Sequence, residues 1–216
     1  MLDFMVISTR STKRGAIEIY PKFIIKKSSD LMIRGGDFYA IWIEDRGLWS
    51  TEEQDALQLI DMELDQYARN NQAYLGENAR VLHMWDAETG MIDSWHKYCQ
   101  KQMRDSFHTL DDRLIFSNTV TTKKDYASKR LSYPLERGDL SAYNRLMSTL
   151  YSDEERAKIE WAIGSIVSGE SKKLQKFMVL YGSAGTGKST VLNIVQQLFD
   201  GYYSVFDAKA LGSSSN

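Results

Sequence analysis

A single cysteine, Cys99, stands among 216 residues, so no intrachain disulfide can form and the chain suits a reducing compartment. No motif around that thiol marks it as a nucleophile, and its place on an amphipathic stretch predicts a small buried hydrophobe. Long apolar runs are missing as well: nothing approaches the ~20 residues needed to cross a bilayer. Residues 1–10 hold neither the apolar core nor the cleavage site of a signal peptide, so the expected location is the cytoplasm, with no membrane partner. Histidine is scarce. His83, His96 and His108 lie 13 and 12 residues apart without cysteine neighbours, which excludes zinc-finger spacing and offers no general-base arrangement. Surface or capping roles are the expectation for all three.

What is present describes a globular chain. Hydrophobic residues make up 43%, aromatics 12% and charged residues 26%, enough apolar material for a core in one or two domains. The net charge of −2 neither demands nor forbids a polyanion, but the charge is unevenly spread. Residues 1–34 hold seven Lys/Arg against three acids, residues 35–65 one against nine, and residues 97–130 eight against four. The basic clusters Arg10-Lys13-Arg14 and Lys123-Lys124-Lys129-Arg130 read first as solvated surface, with phosphate-backbone contact as the second reading.

The strongest signal is Gly182-Ser183-Ala184-Gly185-Thr186-Gly187-Lys188-Ser189, a complete G-x-x-x-x-G-K-[ST] phosphate-binding loop. Lys176 to Tyr181 runs into it as a short apolar segment that predicts a strand. From Ser189 to Phe199 the apolar residues Val191, Leu192, Val195, Leu198 and Phe199 predict a helix. The order of strand, loop and helix has a chemical purpose. Glycines let the backbone curl until successive N–H groups converge on an anion, and the helix N-terminus adds its partial positive charge. Lys188 is then placed to reach the β- and γ-phosphates of ATP, and the Ser189 hydroxyl to ligate Mg²⁺. Thr190 assists through its backbone N–H, while Ser183, Ala184 and Thr186 supply loop geometry.

Along the rest of the chain, residues 1–50 form a β-rich N-terminal module, with Ile17 to Tyr20, Phe23 to Ile25 and Phe38 to Ile43 as strands. Residues 51–150 read as an α+β collar or DNA-handling region. A helix opens at the capping-box pattern Ser50-Thr51-Glu52-Glu53 with Leu57, Ile60, Leu64, Tyr67 and Ala68 on one face. A second runs from about Met91 to Phe107 with Ile92, Trp95, Cys99 and Met103 aligned. Leu114 to Phe116 and Leu131 to Tyr133 look like a strand pair, followed by a helix from about Leu140 to Leu150. From 151 to 216, Ser152 to Glu155 starts another helix with Ile159, Ile163, Ile166 and Val167 as its core face, ended near Gly169. Tyr203 to Asp207 predicts the next strand.

The succession Asp153-Glu154-Glu155, Trp161-Ala162-Ile163-Gly164, Gln175-Lys176-Phe177, Gly187-Lys188-Ser189-Thr190, Leu198-Phe199-Asp200-Gly201-Tyr202 and Ala208-Lys209-Ala210-Leu211 resembles the start of a superfamily 3 helicase domain of the phage and plasmid primase-helicase family. The likeness covers most of residues 30–216 and is specific only from 151 onward. It implies an α+β N-terminal region followed by the beginning of an AAA+-like P-loop NTPase, incomplete within these residues. It also implies a replicative motor that binds ATP and Mg²⁺, assembles on itself as a ring of six, travels on single-stranded DNA and meets other phage replication proteins. Only Gly182 to Thr190 are carried over as the nucleotide loop.

Such a motor also needs an acidic strand, a polar sensor and an arginine from the neighbouring subunit. None is recognisable after the loop here, and the expectation is that all three lie beyond residue 216. Ile41-Trp42-Ile43-Glu44-Asp45 is the one apolar run that ends in acids, but it precedes the loop and reads as a strand end. Asp111 and Asp112 suit a primase by residue type alone. No catalytic residue is assigned, and the 216 residues are expected to bind nucleotide weakly and turn it over poorly. A subunit that keeps the collar and a vestigial loop without a motor is the alternative; a small-molecule kinase is disfavoured, since such enzymes place the loop near the start of their domain.

Overall fold

The computed structural model describes residues 2–24, 27–35, 38–102 and 109–205. It is a mixed α+β structure with two small sheets and several helices, divided into two compact units. One holds residues 1–111 and 120–128, the other residues 112–119 and 129–216.

The first unit contains every strand found among the described residues. In chain order these are β1 (Met5–Ser11), β2 (Ile17–Phe23), β3 (Leu31–Gly35), β4 (Phe38–Ile43), β5 (Leu48–Ser50) and β6 (Ala79–Val81). β1 and β2 form an antiparallel hairpin to which β6 adds in parallel, while β3, β4 and β5 form an antiparallel meander. Pro21 fits inside β2 because β6 pairs only with Ile17, Glu18 and Ile19, leaving no ladder on that side for a missing N–H to break. Helix α1 (Glu53–Asn70) lays Leu57, Ile60 and Leu64 on the core, at the spacing expected of one helical face. Its start differs from the capping-box expectation: Ser50 Oγ donates instead to Asp55 Oδ2 at 2.6 Å, because β5 runs through Ser50 and holds it two residues ahead of the N-cap Glu52.

After the single turn α2 (Gln72–Leu75), helix α3 (Met91–Gln102) closes the core with Trp95 and Cys99 fully buried; Met103 lies outside the described residues. Trp95 is the hub. Its ring lies 5.3 Å from Phe23, 5.6 Å from Phe4 and 5.3 Å from Tyr39, the last edge-on at 87°. Its indole N–H donates to Tyr39 Oη at 3.2 Å, and Tyr39 in turn donates to Glu53 Oε1 at 3.1 Å. Burial pushes the Tyr39 phenol well above its ordinary pKa, so it stays a donor at any physiological pH. Cys99 is buried as expected of a small hydrophobe, and loss of solvation pushes its thiol up to about 12.

The second unit is helical: α4 (Ser141–Leu150), α5 (Asp153–Val167), the short α6 (Ser171–Leu174) and α7 (Lys188–Leu198). Met147, Ile159 and Val191, one from each long helix, form its buried centre, with Tyr151, Ile163, Leu180 and Val195 packed around them. The capping box at α5 is realised: Ser152 Oγ accepts from the Glu155 N–H at 3.4 Å, and Glu155 Oε2 accepts from the Ser152 N–H at 2.9 Å. Ile166 and Val167 are not core residues here; they stand over a third exposed at the end of α5.

Four expected strand segments are not strands where the structure describes them; Phe206 and Asp207 lie outside the described residues. Leu131 N–H donates to the Ile115 carbonyl at 2.7 Å and Ser117 N–H to the Tyr133 carbonyl at 3.1 Å, so the segments meet but form no continuous ladder. Residues 176–181 also lack strand structure, as do 203–205. The apolar signal before the loop is a demand for burial between two neighbouring strands, and none pairs with it among the described residues. Phe177 and Tyr181 are accordingly almost fully exposed, at 89% and 98%. No helix among the described residues is long and apolar enough to cross a membrane.

Candidate phosphate-binding site

The loop between Tyr181 and α7 turns on three glycines with positive φ: 154° at Gly182, 80° at Gly185 and 77° at Gly187. The last is doubly constrained, since a Cβ there would also stand 2.8 Å from Leu150 Cδ1. Thr186 Oγ1 donates to the Ser183 carbonyl at 3.0 Å and draws the loop closed. Gly187 is the N-cap of α7 and offers no side chain to the helix end. The first intrahelical bond at that end joins the Val191 N–H to the Gly187 carbonyl at 3.1 Å, which leaves the amides of Lys188, Ser189 and Thr190 ahead of the ladder.

Lys188 folds back over this loop. Its Nζ donates to the carbonyls of Gly182 at 2.9 Å and Ser183 at 2.6 Å and to Thr186 Oγ1 at 3.1 Å. The ammonium is thus held at the centre of the curl, beside the uncapped helix end. Ser189 and Thr190 lie exposed on the first turn, and Ser183, Ala184, Gly185 and Thr186 are exposed along the loop. All nine residues singled out from the motif therefore fall in one place.

Beside the loop opens a cavity of about 420 Å³ lined by Tyr151, Lys158, Ile159, Leu180, Gly182 and Lys188. Sequence reasoning passed over Tyr151, which borders this cavity and whose hydroxyl is buried with no hydrogen-bond partner among the described residues. Burial raises its pKa, so it remains protonated. A tyrosine just before a capping serine carries no motif, so only the packing of α4, α5 and the loop could reveal it. Glu155 also lines the cavity, and its bonds from Ser152 hold its carboxyl below the usual range, keeping it ionised.

The other candidates are occupied structurally. Glu44 accepts from the Trp42 indole N–H at 2.6 Å at the end of β4. Asp111 accepts from the Ser128 N–H at 2.7 Å and from its hydroxyl at 2.5 Å, closing a loop. His83 meets Asp65 at 2.8 Å and His96 meets Glu53 at 2.6 Å, while His108 lies outside the described residues. Lys123 is paired with Asp30, and its carbonyl accepts from the Trp49 indole at 3.0 Å; Lys129 lies 5.9 Å over the Tyr202 ring. Among the described residues no three His, Cys, Asp or Glu side chains gather to hold a metal ion.

No protein-family model matches this chain, and no curated protein or solved structure matches it.

Proposed function

We propose that residues 182–190 bind the phosphates of a nucleoside triphosphate, ATP, in the manner of a P-loop NTPase. The observation that carries this reading is Lys188 Nζ held in the curl of a three-glycine loop, against an α7 end that no side chain caps. The donor set fits the ligand. Backbone amides, one ammonium and the hydroxyls of Ser189 and Thr190 are what a polyphosphate requires, and the lysine would exchange two carbonyl acceptors for phosphate oxygens. Ser189 would hold Mg²⁺ together with the phosphates, a metal that keeps most of its other positions for water. When bound, the metal would neutralise charge on the β- and γ-oxygens.

On the resemblance of residues 151–216, the wider proposal is that the chain supplies the N-terminal region and nucleotide loop of a phage-type replicative helicase, a ring of six acting on single-stranded DNA. The unpaired segment at 176–181 supports a second reading, in which the chain is an oligomerising or regulatory subunit that keeps the loop without a motor.

Titration of the 216-residue chain with fluorescent ATP, beside Lys188→Ala, tests the first claim. Binding weakened at least tenfold in the variant, with little turnover in either, is the expected result. Equal binding by both proteins, or none by either, would sink the nucleotide reading and leave the loop as an inherited shape.

A further inference from the structure

In the first unit, β2 and α3 build a basic, aromatic groove that the chain order alone does not disclose. Arg10 and Lys22 come from the β1–β2 hairpin, Lys97 and Lys101 from one face of α3, and all four line a cavity of about 350 Å³. The spacing explains the convergence. Tyr20 and Lys22 share a sheet face at period two, and Arg10 faces Glu18 in register, one step along that same face. Ser94, Lys97 and Lys101 follow one another by three and four residues, which stacks them on one helical stripe.

Among the described residues Lys22, Lys97 and Lys101 have no ion-pair partner, and no carboxylate of those residues lines the groove. The nearest acid in register, Glu18, is held by Arg10 Nε at 2.7 Å. Three lysines brought together without compensation repel one another, and a protein gains by seating an anion among them. Aromatic faces accompany the charges. The Arg10 guanidinium lies 5.2 Å over the Tyr20 ring, and Phe23 stacks on Tyr98 at 5.5 Å with their planes 27° apart.

We propose that this groove binds the backbone of single-stranded nucleic acid, with Arg10, Lys22, Lys97 and Lys101 on successive phosphates and Tyr20 against a base. Cations interleaved with rings are the chemistry of strand-tracking proteins: the charges follow the backbone, and the rings accept any base. The volume suits about one nucleotide, at the small end of ligand sites, so a strand passes through the groove rather than ending in it. This site belongs to the first unit and the phosphate loop to the second, and it does not depend on that loop.

Fluorescence anisotropy of labelled dT20 and U20 with the full chain tests it, across a series of salt concentrations. Lys97→Ala/Lys101→Ala is expected to weaken binding about tenfold or more. It should also reduce the slope of log K against log salt by about 1.4, as two lost phosphate contacts on a single strand require. Tyr20→Ala should cost about tenfold through lost stacking. Lys13→Ala/Arg14→Ala removes the same charge from the β1–β2 turn, outside the groove, and should change affinity less than twofold. Equal losses in the two double variants would reduce the effect to net charge and overturn the site. So would absence of oligonucleotide binding at 50 mM salt, or capture of phosphatidylserine vesicles without oligonucleotide binding. Lys188→Ala should leave oligonucleotide affinity unchanged, so a failure of the groove and a failure of the nucleotide loop are read separately.

Discussion

Lys188 Nζ lies 2.6 Å from the carbonyl oxygen of Ser183, closing the phosphate loop on its own lysine. The ammonium is already oriented by three acceptors, so binding a polyphosphate exchanges partners instead of ordering a free side chain. Ser189, one residue on, carries no such bond. Ser189→Ala is therefore expected to leave ATP affinity without metal unchanged and to remove about tenfold, about 1.4 kcal/mol, from affinity in Mg²⁺. Paired titrations with Mg²⁺ and with EDTA read the difference, and an equal loss in both would dismiss Ser189 as the metal ligand.

Tyr151 offers a test with opposite signs. Its buried hydroxyl lacks a partner among the described residues, a condition that costs about 1–3 kcal/mol. Tyr151→Phe should raise the melting temperature by a few degrees, the change that about 1 kcal/mol produces in a chain of this size. It should also weaken ATP binding if a nucleotide seated in the cavity that Tyr151 borders gives that hydroxyl its partner. A variant that is stabilised and binds ATP as the parent does would place the nucleotide elsewhere.

Asp61 gives a pH-dependent prediction. The side chain is buried, its Oδ1 accepts from the Met84 N–H at 2.7 Å, and loss of solvation raises its pKa above the usual carboxylate value. A raised carboxyl pKa means that the folded state holds its proton more tightly. Stability from this group is therefore greatest in acid and falls as pH rises from the unfolded value through the folded one. Asp61→Asn keeps an acceptor for Met84 and removes the buried charge. It should be more stable than the parent at pH 7, with the advantage fading toward pH 3, as thermal melts at both pH values would reveal; a constant difference across that range would refute the assignment.

Hydrogen exchange should separate the two sides of the phosphate loop. The amides of 176–181 have no backbone acceptor among the described residues, whereas Val191, Val195 and their neighbours belong to α7. Residues 176–181 should exchange close to the rate of an open chain, and residues 53–70 in α1 should be strongly protected. Comparable protection in the two segments would show the first to be paired.

In the first unit β2, β4, α1 and α3 were legible because they satisfy themselves locally, whereas β1, β3, β5 and β6 were not read as strands. The stripe Leu57, Ile60, Leu64 marks α1, and alternation marks β2, since each needs only one face covered. The phosphate loop was legible for a different reason. Glycine is the residue that tolerates φ values such as those at Gly185 and Gly187, so the motif is almost a transcript of the backbone. The apolar run at 176–181 was misleading as a strand because apolar content states a need for partners without supplying them.

By itself, then, the sequence determined the α+β composition, the position of the three-glycine loop and the helix that follows it, since period, capping and backbone freedom act over a few residues. Tertiary structure decided what lies many residues apart: that Lys22 and Lys97 share a groove, that Lys123 is spent on Asp30, and that Tyr151 faces the phosphate loop. Such pairings depend on how helices and sheets pack on one another, and no local pattern records which surfaces meet.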